Sequence, residues 1–151
     1  MPMSNHKLTI PNSANWQGYE ADLDVRHAHK LLFGKSIDEV QCYFGGAQSI
    51  SRADELQFMP RAAFQYYVFA YSHYVMSEAA RGDPDSASPF LRLLVAREKQ
   101  DPGSVRKIYS HLRPTVEFVA DHQDYFDADY DIYGSFKDLA TQLKGLCAEA
   151  D

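Results

Sequence analysis

Three features of the sequence predict an all-α fold. The first is the stretch Met59 to Arg81, in which Phe64, Tyr66, Tyr67, Phe69, Tyr71 and Tyr74 crowd into about three helical turns. The second is a succession of Ser starts, each followed by apolar residues at helical spacing. The third is that no alternating, strand-like run is longer than His6 to Ile10. The expected architecture is a single-domain bundle of six to eight helices around a central helix at about 60–81. Residues 1–17 read as an irregular leading segment and 18–151 as the helical domain.

The central helix carries two adjacent apolar stripes, Phe64, Tyr67, Val68, Tyr71 and Val75 beside Tyr66, Phe69, Ala70 and His73. A helix apolar over most of its circumference is covered on several sides. Pro60 suits a first helical turn, where a missing N–H costs nothing, and Gly82 before Asp-Pro suits a stop. The tyrosine hydroxyls must reach the edge of the interior or find partners within it.

The other elements follow in order. Tyr19 to Phe33 reads as an amphipathic helix on Tyr19, Leu23, Ala28, Leu31 and Leu32, stopped by Gly34. Ser36 and Glu39 form a capping pair for a helix on Ile37, Val40, Tyr43 and Phe44 that ends at Gly45-Gly46. Ser51 and Asp54 repeat the pattern for a short helix to about Phe58. GDPDSAS, 82–88, reads as a loop, with Ser88-Pro89 as cap and first-turn proline of a helix to about Lys99. Ser104 is the expected cap of a helix on Val105, Ile108, Tyr109 and Leu112, which Pro114 either kinks or ends. Ser135 and Asp138 cap a last helix on Phe136, Leu139, Ala140, Leu143, Leu146 and Cys147.

A chain of 151 residues buries roughly 68–70% of its unfolded surface, enough for a core without metals or disulfides. Cys42 and Cys147 are too few for a disulfide framework and read as two reduced, mostly buried thiols. The sequence offers no signal-peptide pattern and no run of 18 apolar residues. The expectation is a cytoplasmic protein without a membrane span.

Signatures of chemistry are few. Gly34-Lys35-Ser36 matches only the tail of a phosphate-binding loop and reads as a helix stop followed by a start. His27 and His29, two apart, point to different sides of a helix and share no metal there. There is no H-E-x-x-H, E-x-x-H, His-Asp dipeptide or G-x-S-x-G. No catalytic residue, metal set or cofactor is assigned. A small enzyme or ligand-binding protein remains as an alternative, with a pocket lined by Tyr67, Tyr71 and a buried His73.

Charge is distributed unevenly. Residues 121–151 carry eight acids against Lys137 and Lys144, a net −6, while thirteen acids and thirteen bases balance in the rest of the chain. Within this segment Asp127, Asp129 and Asp131 match positions 1, 3 and 5 of a calcium loop, but Ile132 stands where that loop needs Gly. The same stretch reads as an interface. Asp124, Tyr125, Asp127, Asp129, Tyr130, Asp131 and Tyr133 mix acid with tyrosine, which contributes large contact area at little entropic cost. Residues 92–113 carry six bases against Glu98 and Asp101, a net +4. Pairing with the acidic C-terminal segment would explain them, and an acidic whole protein with no nucleic-acid-reading motif argues against nucleic acid.

Phe33-Gly34 with Ser36 to Glu39, then Met59-Pro60-Arg61-Ala62-Ala63-Phe64-Gln65-Tyr66-Tyr67 and Ala70-Tyr71 with Tyr74, resembles small helical bacterial proteins of unknown function. Some helical proteins of this size are immunity proteins for secreted toxins. The resemblance spans about 33–75, implies kinship of fold and carries over no catalytic residue. The expected function is a non-enzymatic protein-binding module, an immunity-type inhibitor that meets a basic partner through the acidic aromatic segment.

Overall fold

Helix α4, Arg61–Val75, is the element around which the others pack. The structure, a computed structural model, describes residues 8–148, so the irregular reading of 1–7 and the acids Glu149 and Asp151 lie outside it. The described residues contain no strand. In order they form α1 (Leu23–Leu32), α2 (Ile37–Val40), α3 (Ser49–Phe58), α4, α5 (Pro84–Gln100), α6 (Tyr109–Asp121), α7 (Tyr130–Tyr133) and α8 (Phe136–Ala148). Six of these have ten or more residues and two are single turns, joined by short 3₁₀ segments.

Neighbours surround α4 as its double stripe requires: α2, α3, α5 and α6 all pack on it. α5 lies between α3 and α8, α8 also packs on α6, and α1 docks on α3. Each α4 tyrosine hydroxyl has a partner. Tyr66 accepts the Ile37 N–H at 3.0 Å, and Tyr67 lies 2.7 and 2.8 Å from the Leu32 and Lys35 carbonyls. Tyr71 donates to Ser86 O at 2.6 Å, and Tyr74 to Asp83 Oδ2 at 2.9 Å. These bonds tie α4 to the two chain segments that pass its ends.

The helix is shorter than its composition suggests. It ends at Val75 rather than near Arg81, because Ser77 turns back onto Tyr74 O with both its N–H and its hydroxyl. A 3₁₀ turn at Glu78–Ala80 then leads to Gly82, whose φ of 72° demands glycine.

Other boundaries divide similarly. Asp22 caps α1 by accepting from the Asp24 and Val25 N–H groups, so Tyr19 falls outside in a 3₁₀ turn. Leu23 is exposed, and Val25, Ala28 and Leu32 form the buried face. The Ser36–Glu39 capping box is present with both bonds. Ser51 is not a cap: α3 begins two residues earlier, and Ser49, fully buried, donates to Phe44 O. The 82–88 stretch is not all loop, for α5 begins at Pro84 and Pro89 sits inside the helix. Ser104 caps nothing; α6 starts at Tyr109 and continues through Pro114. The Ser135 cap is present, its hydroxyl accepting the Asp138 N–H.

Residues 8–17 contribute more than an irregular lead-in. Asn12 and Asn15 accept each other's N–H groups, and the turn they close delivers Trp16 into the core beside Tyr67 and His29. No helix among the described residues is long and apolar enough to cross a membrane.

Candidate functional site

The acidic aromatic segment leaves α6 at Asp121 and rejoins the bundle at Phe136. Buried Gln123 holds it from beneath, donating from Nε2 to Ala128 O and Gly134 O at 3.0 and 2.7 Å while Oε1 accepts the Phe136 N–H at 2.8 Å. Phe126 and Ala128 point into the core. Asp127 takes the left-handed conformation, φ 56°, and Asp129 caps the single turn α7 by accepting the Asp131 N–H at 2.7 Å. A polar loop would otherwise be mobile, but here each reversal of the chain has a side-chain or backbone anchor.

The anchors sort the predicted site residues into two groups. Asp124, Asp127, Asp129, Tyr130 and Asp131 line one shallow concavity of about 540 Å³, with Ala128 at its floor. Tyr125 and Tyr133 are half-buried supports instead. Tyr125 lies edge-on to Phe118 and Phe126, with the Arg81 guanidinium 5.3 Å from its ring centre. Tyr133 donates to Asp85 Oδ1 at 3.1 Å, and Arg92 donates to its carbonyl at 2.7 Å. Desolvation, and after it the hydrogen bond to Asp85, raises the Tyr133 phenol above its ordinary pKa.

Ile132 is the residue that the sequence reading missed. It is 73% exposed beside Tyr130 at 58%, giving the acidic surface an apolar crest. Its signal in the sequence is weak: Ala128 and Phe136 stand four residues to either side, so the spacing reads as core rather than as exposed surface.

Among the described residues the charges around the concavity have no ion-pair partner. None of the ion pairs among the described residues involves an acid after Asp121. Among the described residues the basic stretch 92–113 therefore does not pair with the acids from Asp121 onward. Arg97 binds Asp101, Arg113 binds Glu117, and Arg92 reaches the segment only through a carbonyl. Nor do Asp127, Asp129 and Asp131 converge as the calcium pattern requires. Among the described residues no three His, Cys, Asp or Glu side chains come together as a metal site.

The alternative pocket fares differently from its prediction. Tyr67 and Tyr71 are fully buried, with hydroxyls spent on backbone carbonyls, and burial pushes both phenols well up, so they remain protonated donors. His73 is exposed, not buried. Six residues from Tyr67 and two from Tyr71, it projects from the opposite side of α4. The three line no common cavity.

The other candidates are also structural. His27 Nδ1 lies 2.8 Å from Glu55, whose buried carboxylate also takes both arms of Arg52, while His29 stacks on Tyr19. The two imidazoles thus face different neighbours. Cys42 is exposed rather than buried, and the buried Cys147 thiol is pushed up to about 12, chiefly by desolvation, which makes it a poor nucleophile.

Compared with known proteins, the chain matches no family model, no curated protein and no solved structure.

Proposed function

We propose that the protein is a non-enzymatic, cytoplasmic binding module, an immunity-type inhibitor that holds a basic toxin or effector against Asp124–Tyr133. The observation that supports this reading is the set of carboxylates of Asp124, Asp127, Asp129 and Asp131, without an ion-pair partner among the described residues, around the exposed Tyr130 and Ile132. Like charges gathered without counterions cost stability, and a cationic partner relieves that cost. An aromatic and an aliphatic side chain at the centre supply the apolar contact that interface centres carry. The clamped backbone reduces the ordering entropy lost on binding.

The test is kinetic. A partner recovered from the source organism is measured against the parent, a variant with all four aspartates changed to asparagine, and Tyr130→Ala. The aspartate variant should associate more slowly, and salt should slow the parent, since the Debye length falls from about 10 Å at 0.1 M to about 3 Å at 1 M. Tyr130→Ala should mainly speed dissociation, by on the order of 2 kcal/mol. Unchanged association and affinity in the four-aspartate variant would place the binding surface elsewhere.

A further inference from the structure

The bases of residues 92–113 find a use at the turn between α5 and α6, on a surface separate from the acidic segment. A cleft of about 330 Å³ there is lined by Arg61, Pro102, Gly103, Arg106 and Lys107, three cations and no acid. Arg106 and Lys107 are exposed, and neither side chain has a hydrogen bond or ion pair among the described residues. Arg61 spends Nε and Nη2 on Asp101 and on Pro102 O. That leaves Nη1, which lies over Gly103, 3.7 Å from where a Cβ would stand. Gly103 has φ 99°, so the turn requires glycine, and the missing side chain keeps the floor of the cleft open.

The turn is rigid. The buried Glu98 carboxylate accepts the N–H groups of Gly103, Val105 and Arg106 at 2.7, 2.9 and 3.0 Å, and Gln65 donates to Ser104 O at 2.9 Å. Those amides are already used, so an anion in the cleft would be held by side chains alone. In a chain of net charge −6 the three cations are a concentrated exception.

We propose that this cleft binds the phosphate group of a small soluble molecule. Guanidinium forks match the geometry of phosphate oxygens, and a lysine adds a mobile point charge. Beyond Pro102 no aliphatic or aromatic residue lines the cleft, so the anionic head is what it recognises. The proposal stands independently of the acidic surface.

The experiment titrates ¹⁵N-labelled full-length protein with inorganic phosphate and with glycerol phosphate, against sodium acetate at matched ionic strength. Saturable shifts confined to the amides of Gly103 to Lys107, seen with both phosphates and not with acetate, are expected. Arg106→Ala and Lys107→Ala should each weaken binding about tenfold, the worth of one charge-assisted hydrogen bond, with unchanged far-UV circular dichroism, since neither side chain supports the fold. Shifts as large with acetate, shifts scattered over the molecule, or undiminished binding by both variants would overturn the proposal. So would sedimentation with phosphatidic acid vesicles in the absence of any phosphate-induced shift, which would make the source a lipid headgroup.

Discussion

Tyr71 has no exposed surface, yet its hydroxyl bonds Ser86 O, so ring and hydroxyl contribute separately and can be removed separately. Tyr71→Phe should cost about 1 kcal/mol, a net hydrogen bond, and Tyr71→Ala about 3 kcal/mol or more, the scale of a lost buried ring. Urea unfolding of both variants measures the two terms, and equal losses would refute the division. Asp101 makes a pH-dependent contribution. The Arg61 guanidinium beside it holds its carboxyl below the ordinary value of 3.8, with Arg97 assisting against the cost of burial. A depressed folded value means that the stabilisation is complete above that ordinary value and is lost as pH falls through the lower, folded one. Asp101→Asn should therefore destabilise by on the order of 1 kcal/mol at neutral pH, allowing for solvent screening of Arg61. The gap should narrow as melts are taken to pH values progressively below that ordinary value of 3.8. At this scale the sequence was legible for Tyr71 and misleading for His73. Ala62, Gln65, His73 and Met76 mark one solvent strip on α4, but Phe69 lies in it and is buried, which disguises the strip as core.

Helix starts were legible where one residue alone could cap, and not where several competed. Ser36 with Glu39 has no rival, and its box is present. Ahead of α5 both Asp83-Pro84 and Ser88-Pro89 suit a start, and the earlier one prevails because Ser86, Ala87 and Ser88 are small enough to be buried. Pro89, sixth in the helix, then leaves only Asp85 O without its helical donor. In the candidate site the acids could be read from composition, but the inward turn of Tyr125 and Tyr133 depends on Arg81, Asp85 and Arg92 from remote positions. A further constraint acts between elements at Gly45. Its backbone is ordinary, φ −101°, but a Cβ there would stand 2.6 Å from Tyr74 Oη, the hydroxyl bonded to Asp83. Asp83 Oδ2 also accepts the Gly46 N–H at 2.9 Å, so the whole junction would have to shift. Gly45→Ala should lower stability by about 1–3 kcal/mol, as overpacking does. A melting temperature equal to the parent's would show that the Tyr74 ring moves aside freely.

Across the whole molecule, the basic stretch 92–113 and the acidic stretch after it form two separate surfaces among the described residues. Local pairing accounts for Arg97 and Arg113, and among the described residues no aspartate from Asp121 onward has an ion-pair partner. Net charge by segment located both stretches in the sequence, but the pairing expected between them is not formed among the described residues. Which charges meet was not legible, since it depends on the packing of α5 against α8 and on the course of 121–135. Three aspartates at alternate positions suggest calcium, yet an ion needs carboxylates that converge, and Asp129 is committed to capping α7. Millimolar calcium should therefore leave the melting temperature unchanged. A site with a dissociation constant near 10 μM would add about 2.7 kcal/mol at hundredfold excess, which a thermal melt would register.

Gln123 has one more consequence. Because its amide fixes the path of the acidic segment from inside, through the carbonyls of Ala128 and Gly134 and the N–H of Phe136, that path depends little on the side chains facing outward. Positions 124, 130, 131 and 132 can be rewritten while the loop keeps its shape. Such a surface can exchange one partner for another by a few substitutions, with the helices beneath left as they are.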